Sequence, residues 1–202
     1  MKPKTTLRTA SLRRKTNETD ITLELTLDGA GNYDLELPVP FLKHMLELFA
    51  KHGAFDLKLI GQGDIEVDDH HLVEDVGIVL GQALAEAVGD KRGITRYGHA
   101  WVPMDEALVL CALDLSGRAY FASDLALKSG RVGKFDVQLV HDFFEAFAVN
   151  AKLNLHLCQL RGRNRHHIIE AAFKATARAL RLAVARDPHT SGVPSTKGTL
   201  TT

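Results

Sequence analysis

The sequence predicts an α/β chain, in the form of an α+β sandwich whose helices cover one face of a largely antiparallel sheet. One observation is alternation: Glu18–Gly29 (ETDITLELTLDG) and Glu106–Gly117 (EALVLCALDLSG) alternate apolar and polar residues like half-buried strands. A second is a change of period, because residues 44–59 and 142–157 each run from a helical pattern into a strand pattern. Each half of the chain therefore contains strands on both sides of a helix.

The third observation is a repeated histidine motif. HHLVE opens the amphipathic segment 70–90 and HHIIE opens 166–187, both with apolar residues at helical spacing. Because strand, helix and histidine segments recur in the same order, internal duplication explains them better than chance similarity of amphipathic patterns. We expect half-repeats at 1–95 and 96–190 and a tail at 191–202, within one compact catalytic domain.

The composition of the chain excludes several classes of function. Lys and Arg total 25 and Asp and Glu total 25, so no net charge indicates nucleic acid or an anionic membrane as a partner. No apolar run approaches the roughly 18 residues of a membrane span, and the N-terminal stretch lacks the apolar region of a signal peptide. Cys111 and Cys158 lack CxxC spacing, which argues against thiolate metal sites. We expect a cytoplasmic protein.

Each HHxxE motif can serve two metal ions. Its first histidine and its glutamate are four residues apart, on one face of a helix. Its second histidine is rotated by about 100° around the helix and points elsewhere. If the halves pack with pseudo-twofold symmetry, the ligands would cross between them. One ion would take His70, Glu74 and His167, and the other His166, Glu170 and His71.

The donor types restrict the metal. Imidazole nitrogen with carboxylate oxygen suits Mn, Fe, Co or Zn and disfavours Ca or Mg. Three histidines and one glutamate with open positions indicate a catalytic rather than a closed structural site. The alternative is a solvated helix start with Asp68 and Asp69 as caps. Two equivalent pairs in a duplicated chain make that alternative the weaker one.

A fourth ligand should come from the preceding helix of each half. His44 aligns with Asp142, since both stand three residues before a glutamate. His141 competes with Asp142 for this role.

Four stretches resemble the imidazoleglycerol-phosphate dehydratase family: FLKHMLELFAKHG (41–53), DDHHLVEDVGI (68–78), GRNRHHIIEAAFKA (162–175) and PSTKG (194–198). The similarity runs over nearly the whole chain. It implies half-domains of the ribosomal protein S5 domain 2-like type with four-stranded sheets, and two Mn²⁺ per active site. It also implies a homo-oligomeric cage of 24 subunits built from trimers, with sites at subunit contacts.

The resemblance also implies ligand sets. One ion would be held by His44, His71, His166 and Glu170, and the other by His70, Glu74, His167 and the position of Asp142. The family has His directly before two aromatic residues, whereas this chain has His141 followed by Asp142. Asp can bind manganese through oxygen.

The implied reaction converts imidazole glycerol phosphate to imidazole acetol phosphate and water in L-histidine biosynthesis. It involves no redox change, and two cations beside the imidazole ring would favour an imidazolate and a diazafulvene-like intermediate. Proton transfers need acids or bases. Glu18 is the first candidate, the ligands Glu74 and Glu170 could double in that role, and Asp105 and Glu106 are weaker candidates.

Further residues match the family's substrate contacts. Arg, Lys and Ser side chains suit the phosphate, and the tail is expected to order over it. The predicted substrate-binding residues are Glu18, His44, His52, His70, Arg96, Arg118, Ser195 and Lys197.

Two other functions fit the same ligand types. A dinuclear metallohydrolase would direct a bridging hydroxide at a phosphate or amide. A metal-storing cage or metal-stapled structural protein would tolerate neutral residues at Glu18, Arg96, Arg118 and Lys197.

Overall fold

Two four-stranded sheets and four helices form the fold in the computed structural model, which describes residues 7–200. The N-terminal end of the first predicted half-repeat and the last two residues of the predicted tail lie outside that range. The first half contains β1 (Thr9–Lys15), β2 (Thr19–Thr26), β3 (Tyr33–Glu36), α1 (Pro40–Gly53), β4 (Asp56–Gly63) and α2 (His70–Val88).

The second half repeats this order with one addition. It contains β5 (Tyr97–Met104), β6 (Ala107–Asp114), β7 (Tyr120–Ser123), β8 (Arg131–Val132), β9 (Phe135–Asp136), α3 (Leu139–Ala151), β10 (Asn154–Arg161) and α4 (Arg165–Ala183). The short β8–β9 hairpin has no counterpart among the described elements of the first half.

The two sheets have equivalent topology, β1-β2-β4-β3 and β5-β6-β10-β7. In each sheet the first three strands pair antiparallel and the fourth joins parallel. Burial alternates as the pattern predicted, since Ile21, Leu23 and Leu25 of β2 are buried and the residues between them are more exposed. The predicted fold class is therefore confirmed. The boundary between the half-repeats stays a prediction.

The helices of one half pack on those of the other. Helix α2 contacts α3 as well as its own sheet, and α4 contacts α1 as well as β5 and β6. The helices therefore lie between the two sheets, and Phe144 of α3 meets Phe173 of α4 with 4.7 Å between ring centroids. None of the described helices is long and apolar enough to cross a membrane.

A buried polar network fixes the start of β2 against α2. Asp75 is 6% exposed, and its Oδ2 accepts hydrogen bonds from Thr19 Oγ1 at 2.5 Å and from Arg14 Nη1 at 2.7 Å. Thr19 directly follows Glu18, and Asp75 directly follows Glu74. The network therefore holds the backbone at Glu18 at a fixed distance from the backbone at Glu74.

Replacing Asp75 should weaken the fold. In Asp75→Leu, the Arg14 guanidinium and the Thr19 hydroxyl lose their shared acceptor, which should lower the free energy of unfolding by about 2 kcal/mol. Chemical denaturation of the metal-free protein measures it, with exposed Glu24→Gln as the control. Equal stability of both variants would contradict a structural role for this network.

Candidate metal centre

One cluster of three predicted ligands joins the two halves. Helix α1 supplies His44 and α4 supplies His166 and Glu170, and their ligand atoms lie within 4.8 Å of one another. Glu170 Oε2 is 3.1 Å from His166 Nε2 and 3.8 Å from His44 Nε2. Two imidazoles and one buried carboxylate converging on one point fit a transition metal such as manganese. They make up three of the four ligands predicted for the first ion.

Lys174 adds a cation that the sequence reasoning missed. Its Nζ lies 2.5 Å from Glu170 Oε1 and 3.7 Å from the sulfur of Met104. Burial alone would raise the pKa of Glu170, but Lys174 and His166 outweigh it, so the pKa is lowered and the carboxylate stays ionised. The i, i+4 spacing of Glu170 and Lys174 on a helix was the signal in the sequence.

The second group contains His70, Glu74 and Asp142. His70 Nε2 is 3.7 Å from Glu74 Oε2, and His70 Nδ1 is 3.4 Å from Asp142 Oδ2. His141 instead turns its ring edge to Phe121, with centroids 5.2 Å apart, and its Nδ1 is 3.8 Å from Glu145. Asp142, rather than His141, therefore lies beside the predicted ligands of the second ion.

The second histidine of each motif lies away from both groups. His71 Nδ1 is 3.1 Å from each carboxylate oxygen of Asp64. His167 Nδ1 is 2.7 Å from Glu106 Oε2. Among the described residues, three ligands of the first predicted set therefore converge on one point. In the second set, Glu74 and Asp142 lie on opposite ring nitrogens of His70. Within one chain the crossing histidine joins neither set. Adjacent residues on a helix diverge by about 100°, which accounts for this separation.

These carboxylate contacts shift the pKa values of the histidines. A hydrogen bond to Asp64 is the main cause that raises the pKa of His71, and Glu106 does the same for His167. In return, His167 and two backbone N–H groups lower the pKa of Glu106 to about 2. The Glu106 carboxylate is therefore ionised and hydrogen-bonded to His167, which makes it a poor candidate for proton transfer to or from the substrate.

Glu18 and His52 lie outside the two ligand groups. Glu18 sits in the β1–β2 turn with Oε1 3.9 Å from His71 Nε2. His52, two turns beyond His44 in α1, has a pKa lowered first by burial and then by the charges of Lys174 and Arg178.

The predicted phosphate contacts lie at the other end. Arg96 lies at the end of α4, where its backbone N–H donates a hydrogen bond to the carbonyl of Ala183. Its guanidinium binds Asp114 at 2.7 and 2.9 Å and the carbonyl of Pro194 at 2.8 Å. Ser195 and Lys197 follow Pro194 in the same tail, and the Lys197 N–H donates to Ser195 Oγ.

Arg118 belongs to this end as well. It follows Gly117, whose α-carbon lies against the carbonyl of Leu200 in the tail. His166 is the second residue of α4 and Ala183 is its last, so the metal ligands and the backbone of Arg96 are about 25 Å apart at 1.5 Å per helical residue. One chain does not bring the two predicted parts of the substrate site together.

Comparison with known proteins identifies the family. A family model described as imidazoleglycerol-phosphate dehydratase matches residues 38–180. The imidazoleglycerol-phosphate dehydratase of Desulforamulus reducens is 58% identical over 193 residues, covering 96% of this chain and 98% of its own. The chain belongs to the imidazoleglycerol-phosphate dehydratase family. The protein of that name from Jannaschia sp. is 55% identical over 195 residues, covering 96% of this chain and 100% of its own.

Solved structures of the family share the fold. The dehydratase from Staphylococcus aureus has a TM-score of 0.80 at 40% identity, covering 88% of this chain and 99% of its own. The dehydratase from Pyrococcus furiosus, solved in complex with (S)-C348, has a TM-score of 0.81 at 39% identity, covering 93% and 99%. The activity is therefore that of a hydro-lyase, the dehydration of imidazoleglycerol phosphate in histidine biosynthesis, as the sequence predicted.

Proposed function

We propose that the dehydration depends on two Mn²⁺ per active site and that each site is shared between copies of the chain in a homo-oligomer. The observation that carries this proposal is the incomplete state of both ligand groups within one chain. Each has three of its four proposed ligands, and the missing histidine is present elsewhere on the same chain. The proposed product is imidazole acetol phosphate.

The donors suit manganese. Imidazole nitrogens and carboxylate oxygens, without thiolate, match its preferences, and the described cysteines, Cys111 and Cys158, lie outside the ligand groups. When bound, the ions would supply open positions for the substrate's imidazole and stabilise negative charge on that ring. The first would be held by His44, His71, His166 and Glu170, and the second by His70, Glu74, Asp142 and His167.

Glu18 is the proposed group for proton transfer. Its side chain is about half exposed, and its backbone is held by hydrogen bonds of the Thr16–Thr19 turn. Glu170, in contrast, is buried, and the charge of its carboxylate is balanced by the Lys174 ammonium, so we assign it to holding an ion. Glu74 stays a ligand that could also transfer a proton. A carboxylate free at a turn can approach the substrate carbon that loses its proton.

The distance between metal ligands and basic residues supports a shared site. The substrate is far shorter than the ~25 Å length of α4 that separates His166 from Arg96. Arg118, Ser195 and Lys197 can therefore hold the phosphate over these metals only if they come from a second copy. Closed symmetric assembly makes every such contact equivalent. The number of 24 subunits built from trimers is proposed from the family resemblance.

The outer face of the second sheet also favours association. Tyr97, Trp101 and Tyr120 of the second sheet are more than half exposed. The equivalent face of the first sheet carries charged residues such as Glu24 and Lys58. Clusters of exposed aromatic residues are typical of protein interfaces. The proposed partners are the substrate and further copies of the same chain. A cytoplasmic location stays a prediction.

Chelation should abolish turnover reversibly. Protein stripped of metal should retain less than about 1% of its activity on imidazole glycerol phosphate, because the ring loses its Lewis acids. Manganese should restore formation of imidazole acetol phosphate, with thermal unfolding measured to show that the stripped protein is folded. Full activity of verified metal-free protein would contradict the proposal.

Mixing two inactive variants should restore activity. His166→Ala removes a metal ligand and Lys197→Ala a phosphate contact, so each homogeneous protein should be impaired. After metal removal, mixing and reassembly with manganese, about a quarter of the shared sites would be built from two intact parts. Activity above that of either variant alone is expected, and a mixture made without reassembly is the control. A mixture no more active than its components would show that sites are not shared.

A further inference from the structure

Both second histidines of the HHxxE motifs are held by a carboxylate at the same ring atom. Asp64, directly after β4, lies 3.1 Å from His71 Nδ1 through both of its oxygens. Glu106, in the β5–β6 turn, lies 2.7 Å from His167 Nδ1. The repeated contact leaves Nε2 of each ring for another partner.

Among residues 7–200 the Nε2 atoms have no comparably close partner. The nearest carboxylate to His71 Nε2 is Glu18 at 3.9 Å, and that to His167 Nε2 is Asp105 at 3.7 Å. The amide of Asn164 is 3.5 Å from His167 Nε2. A carboxylate on Nδ1 requires that nitrogen to carry the proton, so in the neutral ring, the form that binds a metal, the lone pair is on Nε2.

Glu106 is itself held in place. Its Oε1 accepts hydrogen bonds from the backbone N–H groups of Asn164 at 2.8 Å and Arg163 at 3.2 Å, just before α4. The carboxylate therefore connects the β5–β6 turn to the helix that carries His167, and it fixes the ring relative to the helix start.

The duplicated halves use different residues for the same contact. Glu106 is the counterpart of Glu18 in the repeat, yet Glu18 does not hold His71 at Nδ1, because Asp64 does. The segment after β10, residues 162–164, contains no acidic residue, so the second half has no counterpart of Asp64. In the first half the turn glutamate is thus left free, and in the second it is committed.

We propose that Asp64 and Glu106 are positioning residues that set the tautomer and orientation of His71 and His167 for metal binding, and that Asp64 thereby leaves Glu18 free for the substrate. The inference rests on the proposed function, because it takes these histidines to be metal ligands. It goes beyond that function by assigning opposite tasks to Glu18 and Glu106, which the repeat aligns.

Manganese affinity of full-length variants tests the proposal. In Asp64→Asn and Glu106→Gln an amide N–H can point at Nδ1 and favour the tautomer with its proton on Nε2. Losing such outer partners typically weakens metal binding about 10–100-fold, and that loss is expected in both variants. Asp64→Glu and Glu106→Asp retain a carboxylate and should recover part of the affinity. Exposed Glu66→Gln, two residues from Asp64, is the matched control.

Glu18→Gln provides the contrast. It should lower kcat while leaving the manganese dissociation constant within about twofold of wild type, since Glu18 is not the residue that orients His71. Visible absorption of the cobalt-substituted proteins gives a second readout, because the ligand-field bands change when a histidine is lost. Those bands should change in Asp64→Asn and Glu106→Gln and stay unchanged in Glu18→Gln and Glu66→Gln.

A structural defect is separable from a positioning defect. Within residues 7–200 the Asp64 carboxylate forms hydrogen bonds only with His71, so thermal unfolding of metal-free Asp64→Asn should match wild type. Wild-type affinity in both amide variants would overturn the inference, as would an equal loss of affinity in Glu18→Gln. If wild-type protein itself bound no manganese, the proposed function would fail instead.

Discussion

The site depends on the packing of helices from one half against helices from the other. Helix α1 lies on α4, so His44 reaches His166 and Glu170, and α2 lies on α3, so His70 reaches Asp142. The second pair can approach closely because of two glycines in α2. A methyl group at Gly77 or Gly81 would stand 2.6 or 2.5 Å from a backbone carbonyl oxygen of α3, inside normal contact distance. Neither metal group would form from one half alone.

The two halves share one topology but differ in the residues around their turn glutamates. Arg14, Thr19 and Asp75 form a buried polar network in the first half, where the aligned positions of the second half are Val102, Ala107 and Ala171. The network holds the strand that begins beside Glu18. The three aligned residues of the second half are buried and apolar. The turn glutamate of that half, Glu106, contacts His167. The half with the polar network is therefore the half with the freer glutamate.

Sequence periodicity predicted the repeated order of strands and helices and the proximity of the first histidine of each motif to its glutamate. Alternation and helical spacing are local properties, so the strands and helices could be read from them, and i, i+4 spacing brought His166 to Glu170. Contacts between segments that are distant in the sequence produce no periodic pattern in it. Asp64 at His71, Asp75 at Arg14 and the choice of Asp142 over His141 depend on how helices and strands pack. The β8–β9 hairpin was missed because two-residue strands are too short to show alternation.

The most direct test of shared, two-metal sites is the anomalous scattering of manganese in crystals of the full-length protein. We predict two manganese peaks per chain. One should be bound by His44, His166 and Glu170, the other by His70, Glu74 and Asp142, and each should be completed by His71 or His167 of a neighbouring copy. Peaks completed by ligands of a single chain, or a single peak per chain, would contradict the account.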